Sequence, residues 1–487
     1  MKVLLAATLV AGLLSPAEAP SHVEGTLPGG ATYVLDVPAD WNRTVLLYSH
    51  GYTPDGAPNP AQNAPNAAVR SALLARGYAL AGSSYRDTGW VLEHALPDQL
   101  ATLDTFADRF GKPRRAIAWG TSLGGMITTG LAERHGPRFA GALAMCGLEQ
   151  GGIANWNNTL DPVFAVRTFF SDPAVPLVHL PDQATALASV ATLTAALDAA
   201  QATPRGRART ALAAALHNLP RPGHLDALRG TVYVGLSWRQ EMETWAGGNP
   251  SWNTGVDYAR VFARSANRAE VEALYDAAGL SLTDDLALLN RAPRISAAPG
   301  AVRYVARNLT FTGRPATPLL TIHTTGDALV PVQVERAYAD AVHAAGRDRS
   351  LRQAFVDRAG HCTFTDGEML AALAAVERRA DSGRWPDTGP SALNAAAAGF
   401  DPEGAHAYAR YRPAPYPRPF DLARATAPRI PAYRRRTASR SARGRDPERK
   451  SHSRDRGTPE IQTTGEHRQF RPACGGVVDN RRETPWI

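Results

Sequence analysis

Lysine is nearly missing from this 487-residue chain: Lys2, Lys112 and Lys450 are all it has, and arginine supplies the other fixed positive charges. Together with abundant alanine, this reads as coding bias in a GC-rich genome. Cysteine is scarce too. Three residues exclude a disulfide-dense domain and leave room for one bridge. Charged residues make up only 20% against 44% hydrophobic, which excludes a disordered polyelectrolyte or a collagen-like fibre. Internal repeats are not seen, so a solenoid or propeller is not expected. There is no His-x-x-x-His or Cys-x-x-Cys spacing, and no glycine-rich phosphate loop follows a strand. Neither a metal nor a cofactor is expected.

The net charge of +8 is unevenly placed. Residues 426–487 hold 15 Lys+Arg and 7 Asp+Glu, so the remainder is neutral. The body therefore shows no imbalance that would suggest a nucleic-acid partner. The tail, with Arg434, Arg435, Arg436 and Arg440 among serines, has almost no apolar periodicity. It reads as disordered, with a basic arm or a reading-frame change as alternatives. At the other end, Lys2 precedes an apolar run from Val3 to Leu14, and Ala17 and Ala19 offer small residues for cleavage. This is a secretory signal pattern over residues 1–19, too short for a membrane anchor. No later segment is apolar enough to span a bilayer. A secreted protein without stable membrane insertion is expected; oligomeric state is not legible.

The body alternates strands with helices. Thr44–Tyr48, Tyr78–Gly82, Ala116–Trp119 and Gly141–Met145 read as buried strands, separated by helices over Val69–Arg76, around Leu100–Phe110 and over Gly124–Arg134. The pattern resumes with Pro318–His323, a helix over Val332–Ala345, a strand at Ala354–Val356 and a helix over Asp366–Arg379. This predicts an α/β fold: a mostly parallel central sheet with helices on both faces. Between lies a stretch with helical spacing (Leu187, Val190, Leu193, Leu197; Val271, Leu274, Tyr275), read as a large, mostly helical cap insertion. Trp156, Trp238, Trp245 and Trp252 fall in it, and spacing leaves open whether they merely fill its own core. The expected organisation is a core over residues 20–148, the insertion over 149–316, a second core part over 317–381, a strap over 382–425 and the tail over 426–487.

The chemistry-bearing residues sit at strand ends. Gly120-Thr121-Ser122-Leu123-Gly124 follows a strand and opens a helix. Glycines two before and two after the serine permit the tight turn of a nucleophile elbow, which presents the hydroxyl at a helix N-terminus. A serine needs a base, and the base an orienting acid. His361 in Gly360-His361-Cys362 and Asp327 in Gly326-Asp327 each follow a strand. Asp357 is a rival acid and His323 a weaker rival base. The backbone N–H groups of Tyr52 and Leu123 would form an oxyanion hole, with Gly51 keeping the loop open and His50 structural. The chain order Ser122, Asp327, His361 matches the α/β-hydrolase order.

On these four loops, residues 25–379 resemble an α/β-hydrolase of the secreted bacterial serine esterase kind. The resemblance implies a catalytic triad of Ser122, Asp327 and His361, an oxyanion hole at Tyr52 and Leu123, and a cap. The chain is also distantly similar to the tannase and feruloyl esterase group, in which a cysteine follows the catalytic histidine and pairs with one just before the nucleophile; here that position is Thr121. Hydrolysis of carboxylic esters, small or polymeric, is the expected activity. A peptidase or aminopeptidase on the same fold is the alternative, and a non-catalytic binding protein a third reading. Cys146 ends one strand and Cys362 follows the base at the same end of the sheet, so a disulfide between them is expected, with two buried free thiols as the alternative and Cys474 left over.

Overall fold

A computed structural model describes residues 20–418, apart from 91, 222–223 and 309. The signal segment, the basic tail with Cys474, and the last residues of the strap lie outside the described residues.

One nine-stranded sheet organises the chain: β1 (Ser21–Thr26), β2 (Thr32–Val37), β3 (Thr44–Ser49), β4 (Ala79–Ser83), β5 (Arg115–Thr121), β6 (Gly141–Met145), β7 (Leu319–Gly326), β8 (Leu351–Ala359) and β9 (Tyr408–Ala409). The spatial order is β1-β2-β4-β3-β5-β6-β7-β8-β9. From β4 to β8 every pairing is parallel; β1, β2 and β9 add antiparallel edges. The sequence reading missed β1 and β2. In β1 intermediate and exposed residues alternate without a fully buried face, so its apolar signal is weak. The parallel strands β3 to β6 are covered on both sides and read as continuous apolar runs, which is why they were legible.

Helices α1 (Ala67–Leu74), α2 (Leu92–Phe110) and α3 (Leu123–Arg134) connect the first parallel strands. Between β6 and β7 run α4 (Gly152–Phe170), α5 (Gln183–Ala200), α6 (Pro204–Ala215), α7 (His224–Tyr233), a π-helical turn (Val234–Trp238), α8 (Arg239–Ala246), α9 (Tyr258–Phe262), α10 (Arg268–Ala277), α11 (Leu282–Arg291) and α12 (Pro299–Arg307). The chain then forms α13 (Gln333–Ala344), α14 (Asp366–Ser382) and α15 (Pro390–Phe400). One apolar cluster fills each face of the sheet, and a third, built on Phe164, Leu193, Leu212 and Tyr258, belongs to the helices between β6 and β7. Leu187, placed on the buried stripe of α5 by its spacing, is 46% exposed; Ala186 and Ser189 take the buried positions instead. The four tryptophans do not fill the helices' own core. Trp156, and the partly buried Trp238, Trp245 and Trp252, join the cluster on the sheet.

The segment read as a C-terminal strap contains α15 and β9, and β9 extends the sheet beside β8. Glu368, in the capping box that opens α14, accepts from both Arg358 and the Ala407 amide, tying this segment to the sheet edge. Further on, the Arg418 guanidinium is buried against Asp161 of α4, with Nη1 at 3.0 and 3.2 Å from its carboxylate oxygens. Breaking a buried pair leaves an uncompensated charge. Arg418→Ala is therefore expected to cost about 3–5 kcal/mol, read from urea denaturation. A midpoint unchanged from wild type would show that Asp161 is satisfied without it.

Candidate active site

The chain enters β3 in the middle of the sheet, crosses by α1 to β4 on one side, then returns by α2 to β5 on the other. This reversal opens a crevice beyond the carboxyl ends of β3 and β5, where ligands of open α/β sheets bind. Ser122 sits at that point, between β5 and α3. Its backbone has φ 57° and ψ −123°, a conformation disfavoured for a residue with a Cβ. The strain is held by packing: a Cβ on Gly124 would lie 1.9 Å from the Ser49 carbonyl oxygen, and one on Gly120 would lie 2.5 Å from that of Gly124. Only glycine lets strand, turn and helix approach this closely.

The Ser122 Oγ lies 2.8 Å from Nε2 of His361, whose Nδ1 lies 2.7 Å from Oδ2 of Asp327. Asp327 is buried, and its Oδ1 accepts from the amides of Leu329 and Val330 at 2.9 and 2.8 Å. Burial alone would raise this carboxyl; His361 and His323 outweigh it and hold it at about 2. The structure thus brings together the three residues singled out in the sequence. The rivals stand elsewhere. Asp357 is exposed on β8 and accepts from Thr325, and the His323 ring nitrogens are held by Glu335 and the Val330 carbonyl. A Cβ on Gly51 would lie 3.5 Å from that of Ser122, so the Gly51–Tyr52 loop flanks the hydroxyl. Leu123 opens α3, and its N–H has no intrahelical acceptor. His50 stacks on Tyr85 at 4.2 Å and its ring nitrogens face the Gly51 and Ser84 carbonyls, which anchors the loop.

Sequence reasoning missed a second histidine in the electrostatics. On β7, the His323 Nδ1 lies 3.2 Å from Glu335, and Nε2 lies 2.8 Å from the Val330 carbonyl and 3.4 Å from Asp327. Every partner is an acceptor. Burial would lower its pKa, but Asp327 and Glu335 raise it to about 10, so the ring is an imidazolium at neutral pH. Its folded value exceeds the 6.5 of a free histidine, so its contribution to stability is full below about pH 6.5 and is lost as pH rises through 10. Glu149, buried nearby and accepting from Thr129, is pushed well above the carboxylate range by burial and by Glu335. Replacing His323 by glutamine removes a cation that faces Asp327 and Glu335, with Glu149 and His361 in reach. The undivided Asp327 charge then acts on His361. The acidic limb of the kcat/KM profile is expected to move up by about half to one pH unit. A profile left in place, or moved down, would rule out this electrostatic role.

Cys146 and Cys362 are joined by a disulfide across 216 residues, with Cα atoms 5.4 Å apart. With His361 they form a Cys/Cys/His group, but sulfurs engaged in a disulfide offer no thiolate to a metal. A cavity opens on Ser122, walled by Tyr52, Trp90, Leu148, Trp238 and Leu329. Tyr52 packs at a tilt on Trp238, with ring centroids 4.1 Å apart, and donates its phenol proton to Glu241 of α8 at 2.7 Å. Burial, with Asp55 nearby, raises the Glu241 carboxyl to about 7 even though the Tyr52 hydrogen bond lowers it. Asn155, Thr159, His217 and Thr231 reach the same cavity from the helices between β6 and β7. No signal in the sequence marks them, because nothing local fixes how those helices pack.

No family model matches the chain. Among solved structures, it is similar to feruloyl esterase B from Aspergillus oryzae (14% identity, TM-score 0.38, covering 75% of this chain and 81% of that one). It is also similar to an esterase of Pyrococcus furiosus (13%, 0.35, 77% and 96%) and to an acylaminoacyl peptidase of Pyrococcus horikoshii (12%, 0.35, 70% and 37%). Among curated proteins it is 32% identical over 419 residues to the o-phthalyl amidase of Xanthobacter agilis, covering 77% of this chain and 90% of that protein. With that identity across nearly the whole relative, on an α/β-hydrolase sheet, the chain belongs to the o-phthalyl amidase family of hydrolases.

Proposed function

We propose that this protein is a serine hydrolase that cleaves amides, and esters, of small aromatic carboxylic acids through an acyl-enzyme. The observation that carries the reading is the continuous hydrogen-bonded array from Ser122 through His361 to Asp327 at the floor of an aromatic-walled cavity. The relative's name adds the aromatic acyl group and moves the preferred bond from ester to amide.

The steps follow from the geometry. Ser122 gives its proton to the His361 Nε2 as the oxygen attacks the carbonyl carbon, and Asp327 steadies the imidazolium through Nδ1. The Tyr52 and Leu123 amides receive the developing oxyanion. His361 then hands the proton to the leaving amine or alcohol. Water, deprotonated by the same ring, releases the acid and regenerates the serine. Tyr52, Trp90 and Trp238 supply flat apolar walls for an aryl ring. The helices between β6 and β7 act as a cap, since they supply part of the cavity lining. No step calls on a cofactor. A disulfide suits an oxidising compartment, which supports export through residues 1–19.

Incubation with a fluorophosphonate is expected to label Ser122, located by peptide mass. Benzoyl anilides are expected to turn over faster than aminoacyl anilides. Labelling at another residue would overturn the nucleophile, and a preference for free aminoacyl groups would favour the peptidase reading.

A further inference from the structure

We infer that Glu241 of α8 is a positioning residue for the oxyanion hole: by holding the Tyr52 phenol it fixes the Gly51–Tyr52 peptide, whose N–H meets the developing charge. The inference rests on the serine-hydrolase reading above and adds a residue that acts on the reaction through Tyr52 rather than by touching substrate.

The plane of the Gly51–Tyr52 peptide is set by ψ of Gly51 and φ of Tyr52. Glycine, without a Cβ, leaves the first of these loosely restrained. The peptide therefore has to be held from both ends. At one end the Gly51 carbonyl faces the His50 Nδ1 at 2.8 Å. At the other end the Tyr52 side chain is held by three groups. Trp238 packs on its ring with centroids 4.1 Å apart, and Trp90 lies 6.4 Å away. The phenol oxygen lies 2.7 Å from each carboxylate oxygen of Glu241. Glu241 is 8% exposed, so little water is at hand to replace it as the acceptor.

This hold comes from the helices between β6 and β7. The π-helical turn Val234–Trp238 runs directly into α8. Its wider turn shifts the phase of the side chains that follow, a device frequent at functional sites. Trp238 and Glu241 stand in an i, i+3 relation, so they share one helix face and meet the same tyrosine. The core side is shaped to admit the carboxylate. A Cβ on Gly89 would lie 3.0 Å from the Glu241 Oε2. The Gly89 N–H donates to the Thr53 carbonyl at 2.8 Å, and the Gly56 N–H to the Thr88 Oγ1 at 3.0 Å. The loop after β3 is thus pinned between the Gly89 segment and α8. Burial raises the Glu241 carboxyl to about 7, yet either protonation state leaves an oxygen that accepts from the phenol. The hold depends on the acceptor and not on its charge.

The test compares Glu241→Leu with Glu241→Gln in the full chain. Glu241→Leu is expected to lower kcat on a benzoyl anilide about 10- to 100-fold and to change KM less than about threefold, because a displaced amide is missed by the tetrahedral oxyanion and not by the bound substrate. Affinity for benzeneboronic acid, whose tetrahedral serine adduct places an oxygen in the oxyanion hole, should fall by the same factor, while benzoate binding stays within about twofold. Glu241→Gln, whose amide oxygen still accepts from the phenol, should keep kcat within about threefold of wild type. Tyr52→Phe should match Glu241→Leu, and the double variant should be no slower than either single one, since both remove the same bond. A loss that falls on KM and benzoate binding instead, or a Glu241→Gln variant as slow as Glu241→Leu, overturns the positioning role. Should Glu241→Leu fail to fold, Tyr52→Phe decides, and a wild-type kcat there overturns the role. Boronate binding as tight in Ser122→Ala as in wild type marks a failure of the serine mechanism itself, and the oxyanion role falls with it.

Discussion

Ser122→Ala is expected to lower kcat by about 10⁵–10⁶-fold while leaving the folded state intact. The Oγ is the atom that would form the acyl bond, and nothing near it can replace it. His361 would keep its bond to Asp327 but would have no hydroxyl to deprotonate. Stability should change by no more than about 0.5 kcal/mol, because the elbow is held by Gly120, Gly124 and the β5 and β6 strands rather than by the hydroxyl. His361→Ala should be comparably severe, since members of a triad act as a unit. Asp327→Asn should cost about 10⁴-fold. Its remaining oxygen can still accept from Leu329 and Val330, but an amide nitrogen facing His361 favours the wrong tautomer. Steady-state and single-turnover kinetics on a benzoyl anilide decide this. Wild-type rates in the Ser122 or His361 variant would remove the assignment.

Loss of the Cys146–Cys362 disulfide is expected to act on stability and catalysis together. Cys146 directly follows β6, next to the elbow strand, and Cys362 directly follows the proposed base. Both residues hold positive φ, 46° and 55°, so each cysteine sits where a free chain rarely rests. A bridge over 216 residues constrains the unfolded chain strongly. Substituting both cysteines by serine is expected to reduce stability by about 2–4 kcal/mol. It should also lower kcat more than it raises KM, because the loop released carries His361 and not the pocket walls. Thiol titration of the unfolded, unreduced protein should find one free thiol, that of Cys474; three would show that the bridge does not form.

The site shows how far local pattern reaches. Ser122, Asp327 and His361 were legible because each stands in a glycine-bearing loop just after an apolar run, and a parallel sheet gathers such loops at one end. The structure lengthens β8 to residues 351–359, with polar Arg352 and Gln353 interrupting the apolar signal at its start. The edge strand β1 and the β9 pairing were invisible. Edges bury little and carry no strong period, and the position of β9 depends on the remote contact of Ala407 with Glu368.

By itself, then, the sequence determined the parallel core, the glycine-bearing loops that hold Ser122, Asp327 and His361, and the two cysteines that could meet. Continuous apolar runs, 3.6-residue patterns and turn glycines are written within a few residues. What only the tertiary structure decided depends on distant chains meeting. The tryptophans turned toward the sheet, Arg418 found Asp161, and His323 became a cation between Asp327 and Glu335. His217 and Asn155 reached the cavity from helices whose packing no local pattern encodes. Charge state and pocket chemistry are set by burial and by neighbours remote in sequence, so they exist only once the chain has folded.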